Sequence, residues 1–559
     1  MKMINTIKFI FLLGLFILRT TASAISLPEP SGIFIFPDRS WALSGDTVWF
    51  AVSGVSPPEG SGNVVHIHLE NLSGEAVSRA MVLTSDGKGE GYLPVPDSLG
   101  SGVYWLRAYT GAMRKSADAV VWGKLIPVYH RFEEEVPALL YPPEMKSVRS
   151  DGPEGMELTV TSGEVAVRGE VSVQVTLPEN AEKWIREMVI SAGIAVPGED
   201  TADRYYPSIP EMTLPEGEEE VVERDGFYIR GRIVPASGSP LPEQSLVLLS
   251  IPGAFPWFDY CLSDKNGHFR FRLNNAWGTA NVYLRALGRE GEELKAELTE
   301  DLIRTGSKAG SGIIQVADTS RQKFVKEMLE ADFYKRLFSP EKQINGTAFD
   351  MKRTSDVAFY GIPDHRVIPS EYIHLPDFSE ICRELLPAAR FRKTDGQYSL
   401  RMLDDLERKY FDKSPLRLIN GVPVFNDQLL FRLKSSDILS IDLIYQERVF
   451  GDLSFKGVMA ITLNDNDMNW LSEEKNLSRF TIPCLQKPFP EEAYRYPEPP
   501  LDSHMPDLRR VFLFQRTGTS ATQSFRFRVS DLKGTVLVKI SGITMDNQPF
   551  SVTRKIVVK

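Results

Sequence analysis

The sequence has 559 residues, 42% of them hydrophobic and 25% charged, a balance that speaks for folded domains and against long disorder. Its formal net charge of −10 argues against a nucleic-acid partner, which would want a basic face. Three cysteines, Cys261, Cys382 and Cys484, are too few and too scattered for a disulfide framework. Three buried free thiols are expected ahead of one bridge with a thiol left over.

In chain order, a basic start, the apolar run Phe9–Leu18 and the small-x-small ending Ala22-Ser23-Ala24 read as a secretory signal peptide over 1–24. The run is too short for a membrane-spanning helix, which needs about 20 apolar residues, and no later stretch is long and apolar enough. From 25 to 126, short strands alternate with Gly-rich turns, as in a β-sandwich. A second β-rich block spans 127–206, and an acidic, proline-containing stretch over 207–224 reads as a solvated linker. Strands around the turn Asp264-Lys265-Asn266-Gly267 make a compact module over 225–289. Within the connector 290–353, residues 320–338 are predicted helical, with Phe324, Met328, Leu329 and Phe333 as the docking stripe. A short helix follows at 379–386, with Asp377 or Ser379 as its cap, and then a hairpin turning at Asp395-Gly396.

The stretch from Pro415 to Leu463 has its own order. A short buried strand stops at Asn420-Gly421, the dipeptide suited to positive φ in a tight turn. Val422-Pro423-Val424 follows, then an amphipathic turn, a strand, a bend at Phe450-Gly451 and a last strand from Gly457. A polar, proline-rich strap is expected over 466–504, and four more strands over 505–559 form a half-sandwich that must pack on something.

Several of these stretches resemble known families. Residues 44–50 (SGDTVWF) and 102–110 (GVYWLRAYT) resemble the macroglobulin-like domain of alpha-2-macroglobulins and of Gram-negative envelope proteins, and 127–206 resembles a further repeat of it. The module at 225–289 resembles the carboxypeptidase regulatory-like domain, which has no catalytic residues of its own. The series NGVPV, DILSIDLI and FGDLSFKGVMAITL within 354–465 resembles the plug domain of TonB-dependent outer-membrane receptors. Such receptors close a barrel of about 22 strands around the plug, on the order of 220 residues. Only 94 residues follow Asp465, so a plug-like module without a pore is expected. The fold expectation is therefore mostly β: a multidomain chain of macroglobulin- or Ig-like β-sandwiches with a small α+β plug-like domain.

Motifs for chemistry are few. The internal thioester of protease-trapping macroglobulins needs a glutamine three residues after its cysteine, and the sequences CLSD, CREL and CLQK lack it. His66 and His68 share one face of a strand with Glu70, as metal ligands could, but a solvent-facing strand surface is the favoured reading. Asp264-x-Asn266-Gly267 opens like a calcium loop, yet Asn275 stands where the twelfth-position glutamate belongs, which favours a hairpin turn. No catalytic residue, metal or cofactor is expected. The candidate binding surfaces are the turn Asn420, Gly421, Val422 and Pro423, and an aromatic platform of Trp257, Phe258 and Tyr260.

The resulting expectation is a non-enzymatic, exported protein of the periplasm or outer membrane. It would bind or scaffold other envelope proteins, an outer-membrane receptor among the candidate partners, as an accessory of TonB-dependent transport. The alternative is a glycan- or peptide-binding module for nutrient uptake.

Overall fold

The computed structural model describes residues 32–54, 63–114, 121–141, 148–149, 152–198, 204–208, 223–224, 226–235, 241–242, 244–253, 255–288, 294–299, 313–315, 318–338, 349–351, 357–372, 374–404, 406–464, 468, 471, 473–487, 498–501 and 503–559. The expected signal peptide and most of the acidic linker lie outside these residues.

Strands dominate the chain, which is a series of β-sandwiches with one smaller α+β unit. In the first sandwich, a sheet of Phe34–Pro37, Thr47–Ser53 and Lys88–Pro94 faces a larger one. The order in the larger sheet is Val148–Arg149, Arg204–Ser208, Val121–Tyr129, Gly102–Thr110, Val64–Glu70, Ala76–Leu83, and Ala42–Leu43 pairs with Val121–Tyr129. Val48, Phe50, Val65, Ile67, Leu106 and Val128 meet in its core.

The second sandwich is built from two segments far apart in sequence. Glu170–Thr176 is paired along its whole length with Thr522–Arg528, and Ile185–Ile194 lies between Val511–Thr517 and Gly534–Thr544. The strands after 505 thus enter the same two sheets as 157–194. Val173, Ile190, Val538 and Ile556 fill the common core, together with Phe324, Val325 and Met328 of the long helix Thr319–Phe338.

That helix forms where the sequence predicts it, but its buried face is different. Phe324 and Met328 are buried and Leu329 packs against the core, whereas Phe333 is 64% exposed. At 3.6 residues per turn a residue nine positions on points about 180° away, so Phe333 falls opposite Phe324, and Val325 completes the docked face instead.

The third sandwich packs Gly226–Pro235, His268–Asn274 and Leu294–Leu298 against Trp257–Leu262, Leu246–Ile251, Thr279–Leu287 and Leu477–Pro483. The last of these lies in the stretch expected to be a polar strap. Its partly buried Phe480 and Ile482 alternate with Arg479 and Thr481, and the strand pairs with Thr279–Leu287 from Thr279↔Pro483 to Arg285↔Leu477. The expected helical connector likewise contributes three short strands, Leu294–Leu298, Ile313–Gln315 and Asp350–Met351.

The α+β unit centres on a sheet in the order His365–Val367, Ile438–Phe450, Leu453–Leu463, Leu416–Ile419, Val422–Pro423. Leu416–Ile419 and Leu453–Leu463 run parallel. The helix Phe378–Leu385 is capped by Asp377, whose Oδ1 accepts the Glu380 N–H at 3.0 Å. The hairpin at Asp395-Gly396 turns with φ of 50° and 83°. No helix among the described residues is long and apolar enough to cross a membrane.

Candidate functional site

The two surfaces singled out in the sequence lie against each other. Asn420 and Gly421 make the expected tight turn, with φ of 47° and 83°. The turn is packed inside the chain: Asn420 is 8% exposed, Val422 is fully buried, and Gly421 and Pro423 are buried too. A Cβ at Gly421 would lie 2.0 Å from the Cβ of Pro256, the residue just before the aromatic strand. Asn420 Oδ1 accepts the Leu463 N–H at 2.8 Å, which ties the turn to its own sheet. On the facing sandwich, Phe258 is 4% exposed and stacks on Phe359 at 4.7 Å and edge-on against Phe450 at 5.2 Å. The Tyr260 hydroxyl accepts the Asp452 N–H at 2.7 Å and sits where a Cβ on Gly451 would be, so glycine at that bend allows the approach. Trp257 is partly buried against the sandwich core. The expected platform and the expected turn are therefore two sides of one internal junction rather than open surfaces.

A buried ion pair fastens this junction. Arg285 of the third sandwich and Glu474 have side chains only 3% and 1% exposed and meet at 2.7 Å. Glu474 also accepts the N–H groups of Phe425 and Asn426 at 3.2 and 2.9 Å, and Arg285 donates to the carbonyls of Lys475 and Pro423 at 2.8 and 3.0 Å. The Arg285 guanidinium lies 4.8 Å from the Phe425 ring centroid. Sequence reasoning missed this pair because its members stand 189 positions apart, one in the module at 225–289 and the other in a stretch read as strap.

His66 and His68 share one face of their strand, as expected, but that face is covered. The strand is hydrogen-bonded on both sides, and His66, His68 and Glu70 are 9%, 3% and 1% exposed. His66 Nε2 lies 2.6 Å from Glu223 Oε2, and the Tyr109 hydroxyl lies 3.1 Å from His68 Nε2. Glu70 is paired with Arg107 of the neighbouring strand. The favoured solvent-facing reading is thus corrected: Glu223 reaches back from the end of the acidic stretch and, with Tyr109, roofs the polar face. Burial pushes His68 down to about 4, so it is neutral near pH 7. Among the described residues, no three His, Cys, Asp or Glu side chains are grouped to hold a metal.

The thiols of Cys382 and Cys484 are buried, that of Cys261 is half-buried, and none is in a disulfide. Burial pushes Cys261 and Cys484 up to about 12 and Cys382 up as well. At the turn 264–267, Asp264 Oδ1 accepts the N–H groups of Asn266 and His268 at 2.8 Å each, so its carboxylate shapes the hairpin.

A cavity of about 360 Å³ lies elsewhere, between the first two sandwiches and the long helix, with Arg39, Lys124, Arg321, Arg510 and Lys539 on its wall. These residues come from five separate segments and form no sequence motif.

A scan against protein-family models and a search of curated protein sequences each returned no match. Among solved structures, the chain is similar to trypsin-activated alpha-2-macroglobulin from Escherichia coli, at 10% identity and a TM-score of 0.22, over 94% of this chain and 41% of that one. Methylamine-reacted Salmonella alpha-2-macroglobulin gives 10% identity and 0.21, over 94% and 39%. The Yersinia pseudotuberculosis adhesin InvE gives 10% and 0.13, over 48% and 58%. The chain spans about two fifths of the length of these macroglobulins.

Proposed function

We propose that this chain is an exported, non-enzymatic envelope protein that binds or scaffolds other envelope components at the outer membrane, as an accessory of TonB-dependent transport. The observation that supports this most is the way the modules are fastened. Sheets are completed by strands from distant segments, and the junctions are closed by partly buried polar side chains. Gln486, for example, accepts the Tyr92 N–H at 2.9 Å and donates to the Tyr92 carbonyl at 2.6 Å, joining the first and third sandwiches. Arg516 reaches Glu187 at 2.6 Å and also pairs with Glu90, joining the first and second. Such locking suits a chain whose task is to hold surfaces at fixed spacing, with its free sheet edges as the natural places for a partner strand.

The test is to express the chain with its N-terminal segment in a Gram-negative host, fractionate the cells, and apply mild crosslinking to intact envelopes. Recovery in the envelope, in a discrete adduct with an outer-membrane receptor, is the expected result. Retention in the cytoplasm, or an uncrosslinked monomer throughout the envelope, would refute the reading. Protease shaving of intact cells then tells which face of the outer membrane it occupies.

A further inference from the structure

The cavity between the first two sandwiches is lined by five basic side chains from separate segments. Four of these five side chains are engaged by other groups, Lys539 among them. Arg39 is bonded to Asp38 and lies 3.2 Å from Asp46. Arg510 reaches Asp46 at 2.6 Å and Asp332 at 3.2 Å. Lys124 sits 4.5 Å from the Tyr205 ring centroid. The nearby carboxylates are already shared, since Asp332 also takes Arg336 at 2.9 Å.

Arg321 is different. It is 7% exposed, yet its only hydrogen bond among the described residues is made by its backbone N–H, which donates to Asp318 Oδ1 at 2.7 Å. Arg321 lines the cavity, and among the described residues its guanidinium has no ion-pair partner. A buried charge of this kind is costly unless it is paired, and a planar fork of donors matches a carboxylate or a phosphate. Arg321 stands in the first turn of a 20-residue helix whose end is capped by the Asp318 carboxylate, so the positive charge offered here is the guanidinium's own.

We propose that this cavity binds a small organic oxyanion, a carboxylate or phosphate group on a body of about monosaccharide size, with Arg321 as the principal grip. The size follows from the volume, about 360 Å³, which is near the small end of ordinary ligand sites. The body would rest on the wall formed by Trp41, Tyr129 and the partly buried Tyr141 and Tyr206. The indole N–H of Trp41 is already given to the Ile194 carbonyl at 2.7 Å, so that ring contributes its face rather than a donor. Arg321 comes from the long helix, Lys124 from the first sandwich and Lys539 from the second, so a bound anion would tie three parts of the chain together. This inference stands apart from the docking role proposed above, and either can fail without the other.

The test uses the mature chain with galacturonate, glucose 6-phosphate and neutral galactose, read by thermal unfolding and calorimetric titration. Expected is a saturable rise in melting temperature with one of the two acids and none with galactose; which acid acts distinguishes a carboxylate from a phosphate ligand. Arg321→Met should weaken that binding at least tenfold while raising the ligand-free melting temperature, because it removes an unpaired buried charge. If Arg321→Met does not fold, Arg321→Lys, which keeps the charge and loses the fork, should weaken binding in the same direction. No shift with either acid, or an equal shift in the Arg321 variant, would overturn the proposal.

Discussion

Replacing Glu474 by Gln is the most informative single change at the junction between the third sandwich and the α+β unit. The substitution keeps the shape of the side chain but removes the charge that faces Arg285, whose own side chain is 3% exposed. It also turns one acceptor oxygen into an NH₂ group, in a place where Glu474 now accepts from Arg285 and from the N–H groups of Phe425 and Asn426. Breaking a buried pair by removing one partner costs about 3–5 kcal/mol, because the other charge stays buried without compensation. Arg285→Met should cost a similar amount, since Glu474 is then the one left over. The double variant should cost less than the sum of the two by about 1–3 kcal/mol, the coupling expected of groups in direct contact. Urea unfolding followed by tryptophan fluorescence and far-ultraviolet circular dichroism measures all three. A loss below about 1 kcal/mol for Glu474→Gln, or strict additivity in the double variant, would show that the junction does not depend on this pair.

Other expectations are equally direct. His68 has its folded pKa depressed from 6.5 to about 4, so the fold binds fewer protons than the unfolded chain between these values. Its contribution is full above about pH 6.5 and is lost as pH falls toward 4, worth about 3 kcal/mol at 1.36 kcal/mol per pKa unit; His68→Asn should flatten this part of the stability–pH curve. Gly421→Ala places a Cβ at φ of 83° and 2.0 Å from Pro256 Cβ, so a loss of about 2–4 kcal/mol is expected in thermal unfolding, against almost none for the open turn glycine Gly198→Asn. The three thiols should resist a thiol-specific reagent in the folded protein and titrate fully in urea, with Cys261 the first to react because it is the least buried.

Much of the fold was legible because local chemistry decided it. Asn420-Gly421 and Asp395-Gly396 turn as their φ preferences dictate, Asp377 caps the helix it precedes, and alternating strands such as His268–Asn274 display a clean buried-exposed pattern. What stayed hidden depends on pairing across long separations. Leu477–Pro483 has a period-two pattern, but proline-rich flanks made it read as strap, and only its partner Thr279–Leu287 makes it a strand. Burial was misjudged for a related reason. Asn-Gly turns and paired histidines usually face water, and nothing local to 420–423 or 66–68 reveals that Pro256 or Glu223 will cover them. Nothing in the sequence around Arg321 sets it apart from other helix charges, and its place on the cavity wall is visible only once three parts of the chain are assembled.

The second sandwich has a kinetic consequence. Gly193 pairs with Val511, so more than three hundred further residues must be synthesised before that sheet can close. Until then Glu170–Thr176 and Ile185–Ile194 expose unsatisfied edges and an apolar face to whatever surrounds the growing chain. Contacts at this sequence distance also make closure slow. A nascent chain stalled midway would be an aggregation hazard, because its half-built sheets could pair with those of a second copy before their own partners arrive.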